Sequence, residues 1–309
     1  MKIMVAGAGA FGKEHLKTLT AMGGMTLAVA ERHTAERERV GKLFALDDSD
    51  ADAFALLERF QPDGVIVATP ADAHAPLARA ALARDIAVLV EKPVAPDVAI
   101  MRELCEAARA SRAFLQPGHI LRFSAGHRRL LDVLREGEIG RLLRFASRRY
   151  RDASHASRYV GIDPVLMTMI HDIDLALWLD GGVALRASAF RGDAGAGRSL
   201  TSAWVESSSK ANWYIETAWL HPGPDCPADR VEIVGAGGSA ELFVGSHIEV
   251  HGASSRRIEI EASDDPLRTE LDCFVAGIRA GKSLAPVSPS DALNGLVAAD
   301  LILRALHDR

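Results

Sequence analysis

The first 118 residues alternate short, uninterrupted apolar runs with longer amphipathic stretches. Residues 3–6, 27–30, 64–68 and 86–90 show no polar alternation, whereas 10–22, 34–44, 51–60, 74–83 and 97–112 have helical spacing. Strands that are apolar on both faces belong to parallel sheets covered by helices on both sides, and this order predicts a doubly wound α/β domain. After Gly118 the pattern changes. Residues 141–151 alternate, and 183–192, 200–206, 210–220, 229–235 and 239–261 read as successive strands separated by Gly, Ser and Asp turns. Strands in series without intervening helices predict an α+β domain with a large open, mainly antiparallel sheet. A helix over 124–135 precedes that sheet and one over 164–179 interrupts it. Two more, near 266–280 and 291–306, close the chain. The boundary falls near 118–123, giving domains 1–120 and 121–309, with the last helix free to pack back onto the first domain.

Length and composition narrow the function classes. At 309 residues the chain has room for two cores, and 48% apolar with 25% charged residues is an ordinary soluble balance. A net charge of −5 gives no electrostatic reason for nucleic-acid or membrane partners. No apolar stretch reaches the ~18 residues that span a bilayer. Met1 and Lys2 lead straight into a short strand-like run broken by Gly7, so export is not expected. The cysteines (Cys105, Cys226, Cys273) form no CxxC spacing and are odd in number. That fits core residues in a cytoplasmic protein. Histidines and carboxylates are not grouped at ligand spacing, so no metal is expected.

Four features carry chemistry. Gly7-Ala8-Gly9-Ala10-Phe11-Gly12 lies between an apolar strand and a helix. In that context Gly7 permits the tight turn, Gly9 lets the backbone approach a pyrophosphate and Gly12 allows close helix–strand packing. The free N–H groups at the helix start would then face the phosphates. Glu31 ends the second strand, nineteen residues after Gly12, where an acidic residue accepts from the ribose hydroxyls. This favours NAD, while Arg32 could instead pair with the 2′-phosphate of NADP. The third feature is Thr69-Pro70 at the end of the 64–68 run, with His74 opening the next helix. The fourth is Glu91-Lys92-Pro93, which ends the strand before it and places an ammonium at the carboxyl edge of the sheet.

The order GAGAFG, ATPADAH, VLVEKPVA, PGHILRF and MIHDIDLALWL resembles the glucose–fructose oxidoreductase, inositol dehydrogenase and rhizopine catabolism (Gfo/Idh/MocA) superfamily over essentially the whole chain. The resemblance implies a Rossmann domain followed by an open-faced sheet domain, oxidation of a sugar-like hydroxyl or the reverse, and homodimers or homotetramers. It implies that Lys92 lies beside the nicotinamide and that His171 is the acid–base residue. At helical spacing, positions 167, 171, 174 and 178 share one face, which directs His171 and Asp174 into the same space. One departure stands out: many catalytic members carry an aspartate one turn before this histidine, and here the position is Met167. Asp174, Asp163 or His155 could compensate. Alternatively the substrate differs, or the chain is an NAD(P)-binding sensor or scaffold. Arg122 and Arg158 are further candidates for a small polar substrate, Arg122 equally for a structural salt bridge. Trp204, Trp213 and Trp219 on the sheet point to an oligomer interface.

Overall fold

In the computed structural model, which describes residues 1–261 and 263–308, the chain divides into two units. The first comprises Met1–Ile120 and Asp265–Leu293, the second Leu121–Asp264 and Asn294–Arg309. In the first unit, β1 (Lys2–Ala6), β2 (Thr26–Ala30), β3 (Asp48–Asp50), β4 (Gly64–Val67), β5 (Ala87–Glu91) and β6 (Leu115–Gly118) form one parallel sheet. Its order is β3-β2-β1-β4-β5-β6, the Rossmann arrangement, with the topological switch between β1 and β4. The apolar runs are buried throughout, as a sheet covered on both faces requires. The helices are α1 (Ala10–Met22), α2 (Thr34–Leu43), α3 (Ala53–Phe60), α4 (His74–Leu82) and α5 (Val98–Ala110).

Two of these strands have no hydrophobic signature. Strand β3 is Asp-Ser-Asp, paired to β2 and bridged by Arg59, whose guanidinium reaches Asp48 at 2.9 Å and Asp50 at 2.8 Å. Strand β6 contains Pro117, tolerated because β6 is at the edge of the sheet. The second domain is not a continuous 121–309. Helix α9 (Pro266–Ala280) belongs to the first unit, where Leu271 and Phe274 join the core made by Leu16, Val29, Ile66 and Leu89. The last helix, α10 (Pro289–His307), carries residues of both units.

The second unit holds α6 (Ala125–Arg135), α7 (Ser154–Arg158) and α8 (Ile170–Asp180) with an eight-stranded sheet. Its strands are β7 (Leu142–Asp152), β8 (Ala184–Asp193), β9 (Ser199–Ser207), β10 (Asn212–His221), β11 (Arg230–Gly235), β12 (Gly238–Phe243), β13 (His247–His251) and β14 (Ser255–Glu259). The order is β14-β13-β12-β11-β7-β10-β9-β8, antiparallel except for β7 against β10. Alternation decides the faces. Ala203, Val205, Trp213, Ile215 and Trp219 are buried on one side, and Trp204, Tyr214 and Glu216 lie on the other. The three tryptophans therefore do not share an outer face: Trp213 and Trp219 are core, with their indole N–H groups donating to Asp180 Oδ2 and Thr168 Oγ1. Trp204 alone of the three is half-exposed.

Charge is also buried in this unit, and it is paired. The Arg149 guanidinium makes two bonds of 2.9 and 3.0 Å to the Asp172 carboxylate and also contacts Asp229, which Arg151 holds from its other side. Of Arg148, Arg149 and Arg151 on β7, Arg149 is thus buried and Arg151 half-buried, while Arg148 is exposed. His127 of α6 is fully buried with no hydrogen-bond partner on either ring nitrogen among the described residues. Burial, reinforced by Arg149, lowers its pKa to about 3. An unfolded histidine titrates near 6.5, so between pH 6.5 and 3 the unfolded chain binds a proton that the fold refuses. Stability should therefore fall as pH falls through that window, by at most ~1.4 kcal/mol per pH unit from this group. Urea denaturation of wild type and His127→Leu across this range should show a flatter dependence in the variant.

Candidate active site

The glycine loop opens on the carboxyl side of β1. Gly7 has φ of 93°, and a Cβ there would lie 2.5 Å from the Ala68 carbonyl oxygen, so the turn admits only glycine. At Gly12 a Cβ would meet the Gly7 carbonyl oxygen at 2.0 Å, which is what brings α1 against β1. Gly9 differs: a Cβ would have no heavy atom within 4 Å. The space beside it is open, and α1 begins there without a side-chain cap. The first N–H groups of the helix are therefore available to an anion. Glu31, just past β2, turns its carboxylate back to the loop and accepts from the Ala8 N–H at 2.9 Å and the His33 N–H at 2.8 Å. A carboxylate has about four acceptor positions, so two such bonds leave capacity for hydroxyl donors. Arg32 is exposed beside it, its Nε 3.4 Å from His33 Nε2. The loop with Gly7, Gly9, Ala10, Phe11, Gly12 and Glu31 thus fits a dinucleotide.

The next two strand ends are tied together. His74 is buried, with Nε2 2.7 Å from the Thr69 carbonyl oxygen and Nδ1 3.0 Å from that of Pro93. Burial holds its pKa below the ordinary histidine value. Both ring nitrogens are thus committed to backbone, and the ring fixes the Thr69-Pro70 loop and the Pro93 turn instead of facing a ligand. Glu91 also turns inward, with Oε1 2.8 Å from His15 Nε2 and Oε2 accepting from the Lys92 N–H at 3.3 Å. The His74 and Glu91 side chains thus brace these strand ends from within, beside Lys92.

In the second unit the segment read as one α-helix has two parts. Val165–Met169 is a π-helical turn, and α8 begins at Ile170. Bonding from i to i+5 loosens the register, so the position one turn before His171 falls between Leu166 and Met167. Such turns recur at functional sites. Asp163 caps the segment through the Val165 N–H and is gripped by the Arg191 guanidinium at 2.7 and 2.8 Å. Asp174 is fully buried against Arg122, with bonds of 2.7, 2.9 and 3.1 Å, and Arg122 lies over the Trp178 ring. These two residues form a buried ion pair. His171 is half-buried, between the paired Asp172 and the core residue Ile170. Arg158 is exposed on α7.

A cavity of about 540 Å³ opens at the start of this helical segment, lined among others by Tyr159, Pro164, Arg191, Arg198, Ser199 and Trp219. No local pattern announces it, because Arg191, Arg198 and Ser199 come from the β8–β9 hairpin, Tyr159 and Pro164 from the segment before α8, and Trp219 from β10. Among the described residues no cluster of three or more His, Cys, Asp or Glu could hold a metal ion, and no helix is long and apolar enough to cross a membrane.

Comparison with known proteins agrees with this geometry. Residues 1–119 match the family described as "Oxidoreductase family, NAD-binding Rossmann fold", and residues 127–241 match "GFO/IDH/MocA C-terminal domain". The chain is 29% identical over 59% of its length to Inositol 2-dehydrogenase 4 of Saccharopolyspora erythraea, of which that match spans 54%. The chain thus spans about half the length of the first curated relatives it matches. It is 27% identical over 99% of its length to Inositol 2-dehydrogenase of Pseudomonas fluorescens, covering 94% of that protein. Among solved structures, an oxidoreductase from Agrobacterium radiobacter in complex with NAD+, L-tartaric acid and magnesium superposes with a TM-score of 0.88. That match has 18% identity and covers 100% of this chain and 96% of the other, which establishes the shared fold.

The loop geometry separates two glycine variants. Gly12→Ala forces a backbone clash and should destabilise the first unit by ~1–3 kcal/mol or more, read by thermal unfolding. Gly9→Ala, at an N-cap with open space for the Cβ, should cost no more than ~1 kcal/mol while weakening NAD about tenfold in a fluorescence titration.

Proposed function

Because the chain belongs to the GFO/IDH/MocA oxidoreductase family, we propose that it is an NAD-dependent dehydrogenase acting on CH–OH groups. It would exchange a hydride with a secondary hydroxyl or carbonyl of a polyol, sugar or related small polar molecule. The observation that carries this reading is the placement of Lys92. It follows β5 at the carboxyl edge of the sheet, the edge on which the glycine loop after β1 and the Thr69-Pro70 loop after β4 also open. Ligands of open α/β sheets bind outside this edge. The N–H groups of Ala10 and Phe11 with Gly9 would hold the pyrophosphate, and Glu31 the adenosine ribose, which selects NAD over NADP. When bound, NAD supplies the hydride acceptor or donor. The Lys92 ammonium would polarise the substrate oxygen, and His171 would take or return the hydroxyl proton. The cavity at Tyr159, Arg191 and Arg198, with Arg158 nearby in sequence, offers the aromatic and polar groups that a hydroxylated small molecule requires.

A sensor or scaffold without turnover is the second reading, and the carboxylates favour it. Met167 stands where family members carry an aspartate. The nearby acids are held by arginines: Asp163 by Arg191, Asp172 by Arg149 and Asp174 by Arg122. His155, the other compensating candidate, packs among Tyr159 and Trp219 with Asp152 at 3.5 Å.

The enzyme reading expects Lys92→Ala and His171→Ala to lower turnover ~10²–10⁴-fold on a polyol and sugar panel, with NAD affinity nearly unchanged for the histidine variant. Met167→Asp, which adds a negative charge close to His171, should raise turnover if the enzyme merely lacks that partner. Wild type and Met167→Asp both binding NAD with no turnover on any panel member would replace the enzyme by the sensor.

The outer face of the sheet supports a homodimer or homotetramer. Phe190 and Trp204 are half-exposed there, and Trp204 packs on Tyr214 with ring centroids 5.0 Å apart. Apolar surface of this kind favours association with a second copy. Light scattering at micromolar concentration should return a multiple of 33.1 kDa, and Trp204→Arg should shift it toward the monomer.

A further inference from the structure

The first unit buries a polar cluster that neither the dinucleotide loop nor the proton transfer uses. Helix α1 contributes His15, strand β5 Glu91, strand β6 Gln116 and helix α9 Glu270. His15, Gln116 and Glu270 are wholly buried, and Glu91 is nearly so. The Glu91 carboxyl is the centre. One oxygen lies 2.8 Å from His15 Nε2, and the other accepts from the Lys92 main-chain N–H at 3.3 Å. Gly118 makes the space for it, since a Cβ there would lie 3.0 Å from Glu91 Cα and 3.3 Å from its carboxyl carbon. Gln116 donates from Nε2 to the Glu270 main-chain oxygen at 3.3 Å. Neither side-chain oxygen of Glu270 has a hydrogen-bond partner among the described residues.

We propose that His15 and Glu270 are positioning residues that hold the Glu91 carboxyl and, through it, the peptide of Lys92. The proposal rests on the reading that Lys92 polarises the substrate oxygen. The physical case begins with Glu270. A carboxylate sealed from water with no donor on either oxygen is an uncompensated buried charge, which folded proteins avoid by keeping the group neutral. Burial and the neighbouring Glu91 charge both push its pKa well above the usual carboxylate range. Two carboxyls in one site share a proton for the same reason. The titratable groups that act on it or that it acts on are Glu91 from β5 and Cys273 from α9 itself, neither of them a cation, and Gln116 from β6 is uncharged. His15 from α1 is bonded to Glu91. A neutral Glu270 needs no partner cation and places no repelling charge against Glu91, the group whose charge acts on it. Glu91 is then held by His15 on one oxygen, and the bond from the Lys92 N–H to the other fixes where the lysine leaves the strand.

Two measurements test this without relying on turnover. Difference infrared spectra of wild type against Glu270→Gln at neutral pH should show the carbonyl stretch of a neutral carboxylic acid, absent from the variant. A carboxylate doublet in its place would overturn the proposal. Reductive ¹³C-methylation of the lysines, with the Lys92 signal assigned by its loss in Lys92→Arg, reads the second link. His15→Ala and Glu270→Leu should move the titration midpoint of that signal by about half a pH unit or more. Glu270→Gln, which keeps the shape and a donor, should leave it in place. A Lys92 titration identical in all variants, with only the melting temperature lowered, reduces the cluster to a structural role and overturns the proposal. Should Glu270→Leu fail to fold, His15→Ala and the infrared result still decide. If Lys92→Ala keeps full turnover on the substrate panel, the functional reading fails while these spectra still report whether the clamp exists.

Discussion

The first unit depends on one contact, the approach of α1 to the end of β1, where Gly12 lies against the carbonyl of Gly7. A Cβ at 2.0 Å from that oxygen could not be accommodated, so two glycines set the distance between helix and sheet. From that distance follow the uncapped helix start beside Gly9 and the reach of the Glu31 carboxylate to the Ala8 N–H. The same approach carries His15, one turn further along α1, to the Glu91 carboxyl. A single steric limit thus aligns the anion-binding helix end with the support of Lys92.

The second unit is organised by paired charge instead of small residues. Asp172 and Asp174 of α8 are buried and each is held by an arginine from another element, Arg149 of β7 and Arg122 before α6. Breaking such a pair leaves an uncompensated ion in the interior, at ~3–5 kcal/mol, so α8 is fixed on the sheet in one register. His171 directly precedes the first of the two anchored aspartates on this helix. The π-helical turn before it, Val165–Met169, relaxes the constraint on the N-terminal side.

Several side chains singled out for chemistry are engaged within the fold, and they share a property. His74, Glu91, Arg122 and Asp174 are polar residues at the ends of apolar segments, the signature equally of a ligand contact and of a buried link. What separates the two is whether a partner elsewhere in the chain already occupies the group. Thr69 and Pro93 occupy His74, His15 occupies Glu91, and Arg122 and Asp174 occupy each other.

Hydrophobic periodicity by itself determined the parallel sheet with its covering helices and the series of strands that follows, because burial on both faces or on one face writes a distinct pattern into the chain. It also determined the glycine loop and the position of Glu31, since turn geometry and strand length are local. Only the tertiary structure decided the rest. Strand β3 is three polar residues held by pairing and by Arg59, and β6 contains a proline tolerated at an edge, so neither has a local signal. The assignment of α9 to the first unit depends on Phe274 meeting Gly64 and Leu89 across the chain. Trp213 and Trp219 are core and Trp204 is surface, although all three lie on strands, because the face each presents is set by the pairing of β9 with β10. Helical spacing placed Asp174 beside His171, but the partner that claims Asp174 lies 52 residues away in sequence. A buried polar group is satisfied by whatever the fold brings to it, and no window of sequence contains that partner.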